Sequence, residues 1–322
     1  MKKLRTAVIG VGSLGKHHAR NHATFASEGR TEFIGVCDTD LENVKEVASE
    51  YSCEYSTDWR DFLDKVDAVS IVTPTETHCE IACAFLEKGV DVLVEKPIAR
   101  TIEEADLMIE TAKKSGAKIM VGHLERFNPA MVALRPHVNN PLYFEIHRVS
   151  PFPNRSLDVD VVLDVMIHDL DAIQWLVGED VKTLAIDAVG INVLSDKVDA
   201  ANARIEFENG AVANITASRI GTDKIRKTRF YQTNSYVVLD YATKFASVTS
   251  LNPDAPIPIL GISINRLEIV DIEPLRAELS AFLDCLEQDK TPPITAEDGR
   301  RALKLAIGVL EKIDAHRKRI NV

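Results

Sequence analysis

Six residues near the start of the chain, Gly10-Val-Gly-Ser-Leu-Gly15, restrict its folding more than any other stretch. They follow an apolar run, residues 6–9, that reads as a strand, and they precede a helix-compatible segment beginning near Lys16. At such a junction the first glycine permits a tight turn, the second lets backbone approach a pyrophosphate, and the third allows helix to pack closely on strand. The phosphates would sit on the helix N-terminus. The next strand, residues 32–37, ends at Asp38, 23 residues after Gly15. A carboxylate there can accept hydrogen bonds from both adenosine ribose hydroxyls and repels a 2′-phosphate, so NAD is expected rather than NADP. Gly10, Gly12, Ser13, Leu14, Gly15 and Asp38 are therefore expected to bind the cofactor.

Strands and helices continue to alternate. Helices are expected at residues 41–50 and, shorter, at 59–65, then a strand at 68–72. Thr73-Pro-Thr-Glu-Thr-His78 reads as a loop whose polar residues cap a helix over residues 80–88, with Pro74 stopping the ladder. The apolar run Val92, Leu93, Val94 reads as a strand covered on both faces and ends in Glu95-Lys96-Pro97. A helix at 102–114 closed by Gly116 and a last strand at 118–121 complete the pattern. This is an α/β arrangement: a Rossmann-type, doubly wound parallel sheet, in which ligands bind at the carboxyl ends of the strands. Lys96, at such an end, is the candidate centre of the chemistry; the plainer alternative is a surface lysine that solvates its strand terminus.

A chain of 322 residues exceeds one ordinary core and is expected to divide into an NAD-binding domain, residues 1–124, and a substrate-binding domain, residues 125–322. Apolar residues make up 45% and charged residues 27%, the balance of a soluble globular protein, and no apolar run approaches a bilayer span. A net charge of −11 disfavours nucleic acid as a partner. The five cysteines are odd in number and scattered through apolar segments, so they read as reduced core residues in a cytoplasmic protein, with no metal site expected at Cys79 and Cys83.

The second half opens with Gly122-His-Leu-Glu-Arg-Phe-Asn-Pro129, where Arg126 and Asn128 either line the cleft or tie the domains together. Residues 158–178 read as one strongly apolar helix. Asp164 and His168 stand four apart on it and so share a face, while Asp169 and Asp171 turn elsewhere. A carboxylate one turn from an imidazole can orient it and raise its pKa. From about 182 to 270 alternating strands separated by turn residues describe a large, mainly antiparallel open sheet without helices of its own. Lys224, Arg226, Lys227 and Arg229 lie within it, either as a solvated edge strand or as contacts for the diphosphate of a nucleotide sugar, with Arg155 a further candidate. Helices at 273–288 and 297–317 are expected to pack back on the first domain.

The glycine turn, Thr73-Pro74 with His78, and Glu95-Lys96-Pro97 together resemble the glucose-fructose oxidoreductase/inositol dehydrogenase family, Gfo/Idh/MocA, across the whole chain. The resemblance implies that Thr73, Pro74, His78, Glu95 and Lys96 border the cofactor, with Lys96 near the nicotinamide and the reacting hydroxyl. Thr75 stands where many members carry asparagine. Asp164-Val-Met-Ile-His168 is similar to the family's Asp-x-Gly-x-His pattern, with Met166 in place of glycine. By this likeness His168 is the principal general base, Asp164 holds it or binds a neighbouring hydroxyl, and Lys96 hydrogen-bonds the reacting oxygen and can share the proton transfer.

The implied activity is NAD-dependent oxidation of a secondary hydroxyl of a sugar. Residues 123–129, 156–164 and 166–171 look like the subgroup that oxidises UDP-N-acetylglucosamine at C3, ahead of an amination in lipid A synthesis. A uronic-acid nucleotide sugar, a free sugar or inositol, and a non-catalytic dinucleotide sensor are the competing expectations. The family also implies a homodimer or homotetramer paired through the second sheet.

Overall fold

The computed structural model describes residues 3–152, 159–252 and 254–320. The chain divides into two compact units, residues 1–123 with 275–300, and residues 124–274 with 301–322.

In unit 1, strands β1 (Leu4–Ile9), β2 (Thr31–Cys37), β3 (Glu54–Ser56), β4 (Ala68–Ile71), β5 (Asp91–Glu95) and β6 (Ile119–Gly122) form a parallel sheet in the order β3-β2-β1-β4-β5-β6. That order places the point where the strand sequence reverses between β1 and β4. Helices α1 (Gly15–Ser27), α2 (Leu41–Tyr51), α3 (Thr75–Glu87) and α4 (Ile102–Ser115) connect the strands. Every residue of β4 is buried, as are Val92, Leu93 and Val94 of β5, which is why these strands read as unbroken apolar runs. α4 starts where the Thr101 side chain accepts from Glu104 N–H and stops at Gly116, whose φ of 78° suits glycine. Helix α7 (Pro274–Glu287) also belongs to unit 1, where Arg30 reaches Asp284 and Glu287 at 2.6 and 3.0 Å.

Two expectations for unit 1 are corrected. Residues 59–62 form a single 3-10 turn rather than a short α-helix, opened by Asp58, whose side chain accepts from Arg60 N–H. Helix α3 begins at Thr75, so the stretch expected as a loop up to His78 is its first turn. Pro74 supplies a preset φ of −57° at the N-cap, and Thr77 Oγ1 donates back to the Pro74 carbonyl at 2.8 Å. β3 is too short to leave a pattern in sequence.

Unit 2 contains α5 (Pro129–Leu134), β7 (Tyr143–Val149), α6 (Ile167–Val177), β8 (Thr183–Ile191), β9 (Ala200–Phe207), β10 (Val212–Ser218), β11 (Ile225–Gln232), β12 (Ser235–Asp240), β13 (Phe245–Leu251) and β14 (Ile262–Arg266). Its eight strands run in the order β14-β13-β12-β11-β7-β10-β9-β8, antiparallel except for the β7–β10 pair. Alternate residues of β9 and β10 are buried, and their apolar side packs with α5, α6 and the later turns of α8 (Ala296–Ile320) in one core. The first residues of α8, through Arg300, belong to unit 1.

The basic segment is not at an edge: β11 lies between β7 and β12, paired on both sides. Edge protection therefore does not explain its charges. A buried Asp199 accepts from Arg219 Nε at 2.8 Å and from the backbone N–H groups of Val193, Leu194 and Ser195, which fixes the turn between β8 and β9. Among the described residues, no helix is long and apolar enough to cross a membrane.

Candidate active site

The glycine turn shows which of its glycines the protein itself demands. Gly10 has φ of 90° and donates its N–H to the Cys37 carbonyl at 2.7 Å. A Cβ on Gly15 would lie 1.9 Å from Gly10 O, and one on Gly10 would lie 2.5 Å from Val72 O, so both positions are closed to any side chain. A Cβ on Gly12 would meet nothing within 4 Å. The protein does not need a glycine there, but a ligand approaching the backbone would. Leu14 stands at the N-cap of α1 with no side-chain cap, and Ser13 is exposed. No side chain closes the start of α1, and the positive end of its dipole suits an anion there.

Asp38 is half-buried at the end of β2; its Oδ2 accepts from Val11 N–H at 2.8 Å and its Oδ1 from Asp40 N–H at 3.0 Å. A carboxylate offers about four lone-pair directions, so capacity remains for two hydroxyls. Asn43, which the sequence reading missed, donates from Nδ2 to Val11 O at 2.9 Å and steadies the turn from α2. Open space at Gly12, an uncapped helix start and a partly committed carboxylate together fit a dinucleotide.

At the end of β5, Glu95 turns inward and is only 8% exposed. Its Oε1 lies 3.2 Å from His18 Nε2 on α1, and its Oε2 accepts from Lys96 N–H at 3.2 Å. Burial pushes the Glu95 carboxyl up, but the His18 hydrogen bond and charge and then the Lys96 charge outweigh it and hold the group below its ordinary value. His78 is buried as well: Nδ1 lies 3.0 Å from Pro97 O and Nε2 2.9 Å from Thr73 O. It ties the Thr73 turn to the residue after Lys96. Burial lowers its pKa against those two bonds. His22, one turn beyond His18, meets Ser70 Oγ at 2.9 Å, and burial with the neighbouring His18 pushes it down to about 3. The only trace of this histidine pair in sequence is its spacing of four on the helix after the glycine turn. Lys96 and Thr73 are half-buried, and Pro74 at the α3 N-cap is exposed.

In unit 2, the helix expected over residues 158–178 has two parts, a π-helical segment at Val162–Met166 and then α6. Asp164 lies in the first and His168 in the second, both half-buried and about one turn apart. Asp169 and Asp171 point to buried arginines. Arg148 grips Asp169 with two bonds of 2.8 Å and donates to Glu125 at 2.7 Å, while Arg126 grips Asp171 at 2.8 and 2.6 Å. Two bidentate pairs thus fix α6 on either side of His168's turn. The Arg148 guanidinium stays charged well above its ordinary value: burial lowers it, and Asp169 and Glu125 raise it further.

The arrangement revises two candidate substrate contacts. Arg126 is buried in its pair with Asp171, its guanidinium 5.3 Å from the Trp175 ring centroid. Asn128 caps α5, its Oδ1 accepting from Ala130 N–H at 3.1 Å. Both serve the architecture of unit 2. Arg226 differs: its side chain is 41% exposed, it stands opposite Arg148 across β11 and β7, and the Glu125 carboxylate is 3.9 Å away and already bonded to Arg148. Burial and then Arg148 lower its pKa. Lys224 is exposed, and Arg155 lies outside the described residues.

The family profile described as "Oxidoreductase family, NAD-binding Rossmann fold" matches residues 4–123, and the GFO/IDH/MocA C-terminal domain matches residues 136–237. A UDP-N-acetylglucosamine 3-dehydrogenase of Acidithiobacillus ferrooxidans is 35% identical over 99% of this chain and 100% of its own length. A solved structure of that dehydrogenase superposes with a TM-score of 0.90, 34% identity, and coverage of 98% of this chain and 99% of that chain. A scyllo-inositol 2-dehydrogenase (NAD(+)) of Bacillus subtilis is 28% identical over 95% of this chain and 92% of its own length.

Proposed function

The chain belongs to the Gfo/Idh/MocA oxidoreductases, and on that premise we propose that it oxidises the C3 hydroxyl of UDP-N-acetylglucosamine to the 3-keto sugar with NAD as acceptor. The observation that carries the substrate is the match, along essentially the full length of both proteins, to a dehydrogenase named for it. NAD is preferred over NADP because the half-committed carboxylate of Asp38 would meet a 2′-phosphate with like charge.

NAD, when bound, supplies the hydride acceptor. Gly10, Gly12, Ser13, Leu14, Gly15 and Asp38 hold its adenosine diphosphate half, and Thr73, Pro74 and Lys96 border its nicotinamide half. His168 takes the hydroxyl proton on a ring nitrogen, Asp164 orients that ring or binds a neighbouring hydroxyl, and Lys96 hydrogen-bonds the reacting oxygen as it gains alkoxide character. Arg226, a half-exposed cation with its nearest carboxylate shared, receives the diphosphate of the sugar nucleotide, with Lys224 nearby in sequence. The protein pairs with itself through the uncovered side of the second sheet, where Tyr143, Tyr231 and Tyr236 stack in a row; a monomer in light scattering at micromolar concentration contradicts this.

Substrate labelled with deuterium at C3 tests the regiochemistry. The proposal expects deuterated NADH and a keto product; label retained in the sugar while NADH forms overturns it. Lys96→Met should lower turnover by several orders of magnitude while NAD still binds, and near-normal turnover removes Lys96 from the mechanism.

A further inference from the structure

We propose that Arg219 is a positioning residue for Asp164: it pins the start of the π turn that carries this carboxylate, and so sets where the carboxylate stands relative to His168. The proposal rests on the roles given above to Asp164 and His168 and adds the group that holds one against the other.

The geometry lies within unit 2. Arg219 follows the last residue of β10 and continues the ladder with β9, its N–H donating to Asp199 O at 3.0 Å. β10 is paired on both sides, so this backbone is held by the sheet. The Arg219 side chain is 1% exposed and divides its guanidinium among three partners. Nε donates to Asp199 Oδ1 at 2.8 Å, Nη2 to Ser195 Oγ at 2.9 Å and Nη1 to Val159 O at 2.7 Å. The first two partners belong to the β8–β9 connection. The third lies in the chain just before the turn that carries Asp164. Two further bonds close the clamp: Val161 N–H donates to Val198 O and Val198 N–H to Asp160 Oδ1, both at 2.9 Å. The Asp160 carbonyl in turn accepts from Leu163 and Asp164 N–H at 3.1 and 3.0 Å, so the Asp164 amide is bonded directly to a clamped residue.

Bracing the β8–β9 connection does not account for the contact with Val159. Asp199 already fixes that connection through three backbone N–H groups, and Val159 is no part of it. What Val159 leads into is the π turn, which closes a bond five residues long from Ile167 N–H to Val162 O. Such turns are rare and occur mostly at functional sites within α-helices. Both ends of this one are held. Beyond it, Arg148 and Arg126 grip Asp169 and Asp171 and fix α6; before it stands the Arg219 clamp. The angle between successive side chains differs between π and α turns, so a near end that slipped into the α pattern would turn Asp164 while His168 stayed with α6.

Amide hydrogen exchange in the NAD-free protein reads the clamp without turnover. Arg219→Lys keeps a cation for Asp199 but loses the planar fork that reaches Ser195 and Val159. Asp160→Ala removes the bond from Val198 and leaves the Arg219–Asp199 pair in place, and it serves if Arg219→Lys does not fold. In each variant amides 162–166 should exchange at least about tenfold faster, with residues 169–177 unchanged. With UDP-N-acetylglucosamine, kcat should fall at least about tenfold at unchanged NAD affinity, and the fall should vanish in the Asp164→Asn background. Exchange at 162–166 that follows the unaltered protein overturns the inference. So does faster exchange with normal kcat, or a fall in kcat that persists in full beside Asp164→Asn. Failure of the unaltered protein to turn over any UDP-sugar overturns the proposed function instead, and the exchange result then still decides whether Arg219 holds Asp164.

Discussion

Glycines at the cofactor turn are needed for different reasons, and substitution separates them. Gly15→Ala forces a methyl to within 1.9 Å of a backbone oxygen, so it should lower stability whether or not a dinucleotide is present. Gly12→Ala meets no protein atom; its melting temperature should stay within a degree or two of the unaltered protein while NAD affinity falls at least about tenfold by titration calorimetry. Equal loss of stability in both variants would contradict the distinction. The same reasoning applies to buried charge. Arg148→Met leaves Asp169 and Glu125 buried without their cation and should cost about 3–5 kcal/mol in urea unfolding. At this scale the sequence showed residues whose chemistry depends on near neighbours: the glycines, Asp38 after its strand, and Asp164 with His168 one turn apart. It could not show Glu95 with His18, separated by 77 residues, or Arg148 with Asp169, because such partners meet only once the sheets are assembled. Whether Arg126 lined the cleft or tied the domains together was open for the same reason, because its partner Asp171 lies 45 residues away; Asn128, left open with it, caps α5 through Ala130 only two residues on.

Strand periodicity divides the basic cluster on β11 into two functions. Alternate residues face opposite sides of a sheet, so Arg226 shares a side with the buried Thr228 and Phe230, while Lys227 and Arg229 lie on the other. Arg226→Gln should raise the KM for a UDP-sugar by about 10- to 100-fold, the range expected for one charged hydrogen bond to phosphate, and leave kcat nearly unchanged. Arg229→Gln should change neither. A larger KM effect at Arg229 would place the diphosphate on the wrong face. Most element types were legible because apolar periodicity marks them, and the boundaries failed where side chains override that period. Pro74 starts α3 earlier than the apolar pattern does, and the π turn before α6 is invisible to a pattern built on 3.6 residues. That β11 is internal follows from pairing with β7, a strand the sequence reading did not assign.

For the whole chain, buried histidine makes stability depend on pH in a definite direction. His22 is held neutral down to about pH 3, whereas in the unfolded chain it takes up a proton near pH 6.5. Between those values the unfolded state binds the extra proton, so this group contributes stability above about pH 6.5 that is lost as pH falls, at about 1.4 kcal/mol per pH unit. His22→Gln should flatten the slope of unfolding free energy against pH by that amount between about pH 4 and 6; an unchanged slope would mean that His22 is charged in the folded protein. Two sheets of different kinds were legible in the change from alternating strands and helices to strands alone. That α7 and the first turns of α8 belong to unit 1 was expected only as a docking of C-terminal helices, and the switch of units within α8, after Arg300, left no mark in composition.

The central claim is tested most directly by NADH formation from NAD, with purified protein offered UDP-N-acetylglucosamine, its uronic acid, free N-acetylglucosamine and myo-inositol separately, and a glutamate-dependent aminotransferase present to draw off the keto sugar. The account predicts turnover with UDP-N-acetylglucosamine and at least about tenfold less with each of the others. Turnover confined to myo-inositol or the free sugar would keep the family chemistry and contradict the nucleotide-sugar assignment.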